Sequence, residues 1–242
     1  MRDRGKCIVL PDAGAVEEEA VRYILRAAAS ACAARGAFHL ALSGGTTPRG
    51  VYARLAEVGD LAWQAVHVYW GDERALPPDH PESNYRMAHV SLLERVAIPP
   101  AQIHPLAAWL PDGDAAARDY EAVLRRHLGD PPRLDLVLLG LGADAHTASL
   151  FPGAAAVNET ERLVVPTPAP AIAPRLTLTP HSLGGARAIL FLVTGAGKAP
   201  ALRRVLYAPC APAALPPHAI LERAEHVVWL VDRAAAGDVE SA

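Results

Sequence analysis

The fold is decided by the stretch Asp135-Leu-Val-Leu-Leu-Gly-Leu-Gly-Ala-Asp-Ala-His-Thr-Ala-Ser-Leu-Phe151, near the middle of the chain. It opens within an apolar run at residues 134–139, which only Asp135 interrupts. A run of this length, rich in branched residues and ended by Gly140 and Gly142, predicts a buried strand of a parallel sheet. The two glycines predict that the chain turns sharply directly after the strand.

Two polar side chains follow this strand. Asp144 and His146 come just past its carboxyl end, which is where ligands bind in open α/β sheets. Residues 147–151 are predicted to begin a helix, which Pro152 and Gly153 would stop. The sequence therefore places an acid and an imidazole where a substrate would lie.

The same stretch also fits another motif. Gly140-Leu-Gly-Ala-Asp-Ala145 matches the loose dinucleotide fingerprint, Gly-x-Gly-x-x-Gly or Ala. However, no acidic residue ends the next candidate strand, residues 163–165, to hold a ribose. A single histidine near a strand end can also be purely structural. Whether His146 has a chemical role therefore has to be judged from the residues in the other loops of the chain.

Composition limits the class of protein. A chain of 242 residues with 51% hydrophobic residues suits one large α/β domain or at most two small ones. A net charge of -3 gives no general attraction to nucleic acid or to an anionic membrane. Cys7, Cys32 and Cys210 form no paired motif, which is typical of reduced thiols. With no signal peptide and no membrane-spanning run, we expect a cytoplasmic protein.

Strands and helices are predicted to alternate along the chain. Apolar runs predict further strands at residues 7–10, 38–42, 66–70, 163–165, 175–179, 188–193 and 227–231. The strand at 175–179 alternates apolar and polar residues and is expected to expose one face. The prediction is a single doubly wound, Rossmann-like α/β domain over residues 1–242, with a mostly parallel sheet flanked by helices. Residues after Asp232 are expected to form a loose tail.

A glycine-rich turn follows the strand at residues 38–42. Its sequence is Ser43-Gly-Gly-Thr-Thr-Pro48. Thr47 is expected to cap the next helix and Pro48 to occupy its first position. A strand, a Gly/Ser/Thr turn and a helix N-terminus together form an anion site, because backbone N–H groups and the helix dipole converge there. The alternative is an ordinary strand-to-helix turn.

Two more predicted strands end in polar loops, Gly71-Asp-Glu-Arg74 and Thr194-Gly-Ala-Gly-Lys198. The first could be a solvated charged loop, since runs of charge usually are. The second is not a P-loop, because its glycine spacing is wrong and Ala199 replaces the Mg²⁺-binding hydroxyl. The chain has no His-Glu-x-x-His and no Gly-x-Ser-x-Gly. These loops therefore predict general acid–base chemistry on a phosphorylated small molecule, with no metal and no cofactor.

Six motifs carry a resemblance to a known family. They occur in the family's order over about residues 38–231 and are Ser43-Gly-Gly-Thr-Thr-Pro48, Asp72-Glu-Arg74, Ser83-Asn-Tyr85, Gly140-Leu-Gly-Ala-Asp-Ala-His-Thr-Ala-Ser-Leu-Phe-Pro152, Arg175-Leu-Thr-Leu-Thr179 and Thr194-Gly-Ala-Gly-Lys-Ala199. The chain resembles the 6-phosphogluconolactonases within the glucosamine-6-phosphate isomerase/6-phosphogluconolactonase family. One departure is Ala145, where glycine is usual between Asp144 and His146. Alanine would strain the turn if that position had a positive φ.

The resemblance implies an activity and a set of catalytic residues. The activity is hydrolysis of 6-phospho-D-glucono-1,5-lactone to 6-phosphogluconate, the second step of the oxidative pentose phosphate pathway. His146 would be the general base that activates water, and histidine is well suited to that task near neutral pH. Asp72 or Asp144 would orient the imidazole or the substrate hydroxyls. Arg74 would offset charge that develops on the ring or carboxylate oxygens.

The resemblance also implies a phosphate site. The residues that would hold the phosphate are Ser43, Gly44, Gly45, Thr46, Thr47, Arg175 and Lys198. The expected partner is the small sugar phosphate alone, without nucleic acid or membrane. The protein is expected to act as a monomer or homodimer.

Two rival functions remain. The isomerases/deaminases of the family resemble this chain at the Gly-Leu-Gly…His stretch, but they carry a glutamate at the position of Phe151 and a tyrosine at the position of Arg74. Both differences favour the lactonase. The second rival is a sugar-phosphate-binding module without catalysis, which the presence of Asp72, Arg74 and His146 argues against.

Overall fold

The computed structural model describes residues 4–59, 61–168, 173–237 and 239. The strands are β1 (Lys6–Leu10), β2 (Phe38–Leu42), β3 (Val66–Trp70), β4 (Asp72–Arg74), β5 (Leu136–Gly140), β6 (Val164–Thr167), β7 (Arg175–Leu178), β8 (Ile189–Val193) and β9 (Val227–Asp232). The helices are α1 (Ala13–Arg35), α2 (Thr46–Leu55), α3 (Asn84–Ser91), α4 (Gly113–Leu128), α5 (Pro180–Gly184), α6 (Ala199–Tyr207), α7 (Pro217–Leu221) and α8 (Arg233–Ala236).

The central sheet has six strands in the order β1-β9-β8-β5-β2-β3. Every neighbouring pair runs parallel, so all six strands direct their carboxyl ends to the same edge. The middle strands are continuously apolar because helices cover both faces of such a sheet. Strand β8 is buried at every position. The predicted α/β fold with a mostly parallel sheet flanked by helices is confirmed.

A separate three-stranded antiparallel sheet has the order β4-β7-β6. The predicted loop at residues 72–74 is therefore wrong: these residues form β4, which pairs with β7. Gly71 joins the two sheets, since its N–H donates to Leu42 O at 2.9 Å and its carbonyl accepts from Leu178 N at 2.8 Å. The strands at 163–165 and 175–179 belong to this second sheet, not to the parallel one.

The expectation that residues 175–179 expose one face is also wrong. Leu176, Thr177 and Leu178 are all buried. Leu176 lies near the start of α4, with its Cδ2 3.8 Å from where a Cβ of Gly113 would be. On the other face, Thr177 Oγ1 accepts a hydrogen bond from Ser149 N at 3.3 Å. Both faces of β7 are covered, so the alternation of residue types does not correspond to exposure.

The segment after Asp232 is ordered where it is described. Asp232 caps α8 by accepting from Ala235 N at 2.7 Å, and Ala235 and Ala236 are buried. The predicted loose tail is therefore wrong for residues 233–236. Residues 238 and 240–242 lie outside the described part, as do residues 169–172, which precede β7.

Candidate functional site

A cleft of about 230 Å³ opens at the carboxyl edge of the parallel sheet. Four loops after β2, β3, β5 and β8 meet there, because parallel strands end on the same side. Its walls are residues 43–48, 72, 74, 84, 140–142, 146–148, 175, 192–194 and 198. All predicted site residues line the cleft except Asp144, which contacts His146 from outside it.

The turn after β2 is rigidly held. Tyr52 OH accepts from Ser43 N and donates to Ser43 O, at 2.9 Å each. Ser43 Oγ is buried and has no hydrogen-bond partner among the described residues. Gly44 has no room for a side chain, because a Cβ there would lie 2.1 Å from Asn84 Oδ1. Gly45 has a φ of 115°, a backbone conformation that favours glycine. The turn thus presents polar groups to the cleft.

The N-cap of the next helix is not the predicted residue, Thr47. Helix α2 begins at Thr46 with Gly45 at the N-cap, and no side chain caps it. The Thr47 side chain instead hydrogen bonds to Thr194, with 2.7 Å between the two Oγ1 atoms. This contact joins the turn after β2 to the turn after β8. Without a side-chain cap, the first N–H groups of α2 remain available to an anion in the cleft.

His146 and Asp144 form a close pair. His146 Nδ1 lies 2.5 Å from Asp144 Oδ1, which also accepts from His146 N at 3.1 Å. Partial burial favours the neutral acid, but the hydrogen bonds and charge of His146 prevail and lower the pKa of Asp144. Asp144 is therefore ionised and holds the imidazole by Nδ1, which leaves Nε2 as the nitrogen that can act on a substrate.

Glycine and alanine shape the turn beneath this pair. A Cβ on Gly142 would lie 2.2 Å from His146 Nδ1, so only glycine lets the ring fold back over the turn. Ala145 has a φ of 75° and is fully buried. The departure from the family's glycine therefore does fall at a left-handed position, and the chain accommodates an alanine there.

Residues 147–151 do not form the predicted helix. Thr147 and Leu150 pair as an isolated bridge, and Ala148 has a φ of 48°. This tight turn directs Ser149 Oγ to Asp72 Oδ2 at 2.5 Å. A helix would not place Ser149 against that carboxylate, so the contact with Asp72 overrides the local preference.

Asp72 is buried, and its carboxylate is held by side chains other than His146. Its carboxylate accepts from Ser149 Oγ at 2.5 Å and from Asn84 Nδ2 at 3.4 Å. Arg175 Nη1 lies 3.7 Å away. Of the two acids that could orient His146, the structure brings Asp144 to it, and it places Asp72 beside Arg175. Sequence reasoning did not identify Ser149 or Asn84 as site residues, although both lie within the family motifs.

Glu73 has a different role from its two neighbours. It is buried and accepts hydrogen bonds from Asn84 N at 2.9 Å, Tyr85 N at 2.6 Å and Ser83 Oγ at 3.1 Å. Burial raises the pKa of this carboxyl despite these bonds. Glu73 thus fixes the start of α3 and keeps Asn84 in the wall of the cleft.

Three cations face the cleft: Arg74, Arg175 and Lys198. Arg74 donates through Nη1 to the carbonyl of Glu82. The Nε atoms of Arg74 and Arg175 are buried without hydrogen-bond partners among the described residues. Burial, and then the charge of Arg74, lower the pKa of Arg175. Lys198 makes no ion pair within the described part of the chain.

The aromatic side chain next to His146 is Phe151. Its ring centroid lies 4.9 Å from that of His146, and the guanidinium of Arg175 is 6.0 Å from the same ring. Phe151 is 8% exposed, so it shields one side of the imidazole from water. It has no group that could exchange a proton with His146.

Side chains that could bind a metal ion are grouped outside the cleft. Among the described residues, His67, His104 and His127 could share an ion, and none of them lines the cleft. Within the same part of the chain, no helix combines the length and the apolar character that crossing a bilayer requires.

Comparisons with known proteins agree with this architecture. Residues 11–229 match the family model described as glucosamine-6-phosphate isomerases/6-phosphogluconolactonase. A protein of Nostoc sp. named 6-phosphogluconolactonase is 39% identical over 96% of this chain and 97% of its own length. A protein of Synechocystis sp. with the same name is 40% identical over 90% of this chain and 91% of its own. The solved structure of 6-phosphogluconolactonase from Trypanosoma brucei superimposes with a TM-score of 0.88 and 28% identity, covering 98% of this chain and 99% of that one.

Proposed function

The chain belongs to the glucosamine-6-phosphate isomerase/6-phosphogluconolactonase family, and we propose that it hydrolyses 6-phospho-D-glucono-1,5-lactone to 6-phosphogluconate. This reaction is the second step of the oxidative pentose phosphate pathway. The observation that carries the proposal is the pair of His146 and Asp144, 2.5 Å apart, in a cleft that also holds three cations. The pair supplies a base, and the cations select an anionic substrate.

The phosphate binds at the start of α2. Backbone N–H groups of Gly45, Thr46 and Thr47 and the helix dipole favour an anion there. Ser43 Oγ, which has no hydrogen-bond partner within the described part of the chain, can donate to a phosphate oxygen. Lys198 and Arg175 add charge-assisted hydrogen bonds, which are stronger than neutral ones.

His146 acts as the general base. Its Nε2 takes a proton from water, whose oxygen then bonds to the lactone carbonyl carbon. The bond from that carbon to the ring oxygen breaks, and the imidazolium returns the proton to the ring oxygen, which becomes a hydroxyl group. Asp144 stabilises the imidazolium through Nδ1. These steps need water and no other reactant.

Asp72 and the arginines position the lactone. Asp72 is fixed by Ser149 and Asn84 and faces the cleft, where its carboxylate can accept from sugar hydroxyls. Arg74 lies at the same wall and offsets negative charge on the carbonyl oxygen as the tetrahedral intermediate forms. Phe151 beside His146 argues against the isomerase/deaminase activity, because ring opening of an amino sugar needs a proton-carrying partner at that place.

We further propose that the enzyme works in the cytoplasm, and the support for this is its similarity to bacterial proteins named 6-phosphogluconolactonase. We also propose that the enzyme acts as a monomer or a homodimer, and the residues of one chain that line the cleft support either form.

The activity is tested with freshly prepared 6-phosphogluconolactone. The protein should accelerate acid release well above the spontaneous rate, and it should act far less on unphosphorylated gluconolactone. Acid release at the spontaneous rate, with folded protein in excess of any trace contaminant, would reject the proposal.

A further inference from the structure

Four histidines gather at the amino end of the parallel sheet, away from the cleft. His39 and His67 are register partners in β2 and β3. His104 follows the bridge between Ile103 and Val68, and His127 lies in the last turn of α4. Ser43 at the cleft is four positions beyond His39 along the chain, which is about 13 Å in an extended strand. The cluster is therefore a separate feature of the fold.

The imidazoles are close enough to share an ion. His67 Nδ1 lies 3.1 Å from His104 Nε2. One nitrogen from each of His67, His104 and His127 lies within 4.8 Å of the other two. In a tetrahedral zinc site with bonds of 2.0–2.1 Å, neighbouring ligand nitrogens are about 3.3 Å apart. His127 is only half-buried, so a small rotation of its ring can close the remaining gap.

The chemistry of the cluster suits a transition metal. Metal binding requires a deprotonated imidazole nitrogen. Burial lowers the pKa of His104 to about 4 and also lowers that of His67, which favours the neutral form of these two rings. Three imidazole nitrogen donors without a carboxylate favour zinc-like divalent ions over Mg²⁺ or Ca²⁺.

The neighbours of the cluster can orient its rings. Tyr69 stacks on His104 with 4.7 Å between ring centroids. Gln102 Nε2 lies 3.5 Å from His67 Nε2, and Gln102 Oε1 is buried without a partner among the described residues. Gln102 Nε2 also donates to Gln64 O at 2.8 Å, which fixes the orientation of this amide beside His67. His39 is engaged by Tyr69 OH at 3.1 Å.

We propose that His67, His104 and His127 bind one zinc-class divalent ion, with water in the fourth position. The site fastens the end of α4 to β3 and to the segment that contains His104. The three histidines are far apart in the sequence, so no spacing motif reveals them, and the prediction of no metal site rested on such motifs. The ion would stabilise the fold and take no part in lactone hydrolysis.

The test uses tag-free, chelator-treated protein titrated with Zn²⁺ and, for absorption spectroscopy, with Co²⁺. One equivalent should bind, and Co²⁺ should show the intense visible absorption of four-coordinate sites. At free Zn²⁺ a hundredfold above Kd, Tm should rise by about 5 °C. His127→Gln and His104→Gln should each weaken binding at least about tenfold. His226→Gln, at an exposed histidine outside the cluster, should bind normally.

The variant His146→Gln distinguishes Zn²⁺ binding at the histidine cluster from Zn²⁺ binding in the cleft. It should keep full Zn²⁺ affinity, whereas loss of binding in that variant would place the ion in the cleft and overturn the proposal. Failure of the unmodified protein to bind Zn²⁺ below about millimolar concentration would overturn it as well. Normal Zn²⁺ binding by His127→Gln would also overturn the proposal. This variant changes a half-exposed side chain at a helix end, so it gives a clear result even if His104→Gln does not fold.

Discussion

Asp135 at the amino end of the parallel sheet and two polar side chains at its carboxyl end differ in how they are paired. At the amino end, the buried carboxylate of Asp135 is fully engaged: it accepts from Arg35 at 2.7 Å, from Arg187 at 3.3 Å and from the backbone N–H of His39 at 2.9 Å. At the carboxyl end, Ser43 Oγ and Arg175 Nε are buried without partners among the described residues.

This difference distinguishes a structural end from a functional one. An unpaired buried donor costs about 1–3 kcal/mol, so a fold keeps such donors where a ligand offsets the cost. Polar residues at the amino end should therefore govern stability, and polar residues at the carboxyl end should govern activity. Substitutions at the two ends separate these effects.

The largest effect is expected at His146. Changing His146→Ala removes the base and should lower kcat at least about a hundredfold, with a much smaller change in KM. The side chain is 36% exposed, so Tm should hardly move. His226→Ala, at an exposed histidine outside the cleft, is the control and should keep full activity. A His146→Ala enzyme with near-normal kcat would remove His146 from the mechanism.

At the amino end, Asp135→Ala should have the reverse pattern. It leaves the N–H of His39 unpaired and two arginines without their carboxylate, which should lower the free energy of unfolding by about 2–3 kcal/mol. The kcat should stay normal at temperatures where the variant is folded. Urea denaturation measures the loss, and Asp119→Ala on the exposed face of α4 is the matched control. An undiminished midpoint would mean that this end is not a structural anchor.

A smaller effect is expected from the cations of the cleft. Lys198→Ala or Arg175→Ala should each raise KM for the phosphorylated lactone about tenfold, since each removes one charge-assisted hydrogen bond. Activity on unphosphorylated gluconolactone should barely change, and Arg118→Ala, at an exposed position, should affect neither substrate. Equal losses on both substrates would show that these residues do not hold the phosphate.

The smallest effect concerns backbone strain at the cleft. Ala148 has a φ of 48°, so Ala148→Gly should be neutral or should raise the free energy of unfolding by up to about 1 kcal/mol. Ala122→Gly, on the exposed side of α4, should lower it by about 1 kcal/mol. Chemical denaturation of both variants shows whether each substitution raises or lowers the free energy of unfolding. Equal destabilisation would mean that the turn at Ala148 stores no strain.

Local sequence was sufficient for some elements and not for others. The bounds of β2 and β3 agree with the prediction, because each is an apolar run ended by a serine or glycine. The loops that line the cleft were also predicted from the sequence, because they come directly after strands that run parallel and end at the same edge of the sheet. Strand β4 could not be predicted, because its partner β7 lies a hundred residues further along and three charged residues carry no apolar pattern of their own.

Other features depended on contacts between distant residues. The turn at residues 147–151 is set by the hydrogen bond from Ser149 to Asp72, against a sequence that favoured a helix start. Thr47 does not cap α2 as expected, because its side chain hydrogen bonds to Thr194 instead. The choice between Asp72 and Asp144 as partner of His146 likewise required the folded chain. For the turn and for Thr47, a long-range polar contact outweighs a local preference.

The assignment of the cleft to lactone hydrolysis is tested most directly by assaying one preparation for two reactions. Phe151 stands beside His146, 4.9 Å between ring centroids, and cannot carry the proton that opening an amino-sugar ring requires. The unmodified protein at high concentration should therefore hydrolyse 6-phosphogluconolactone rapidly and release no ammonia or fructose 6-phosphate from glucosamine 6-phosphate. Ammonia release at a rate comparable with lactone hydrolysis would contradict the assignment and make the protein an isomerase/deaminase.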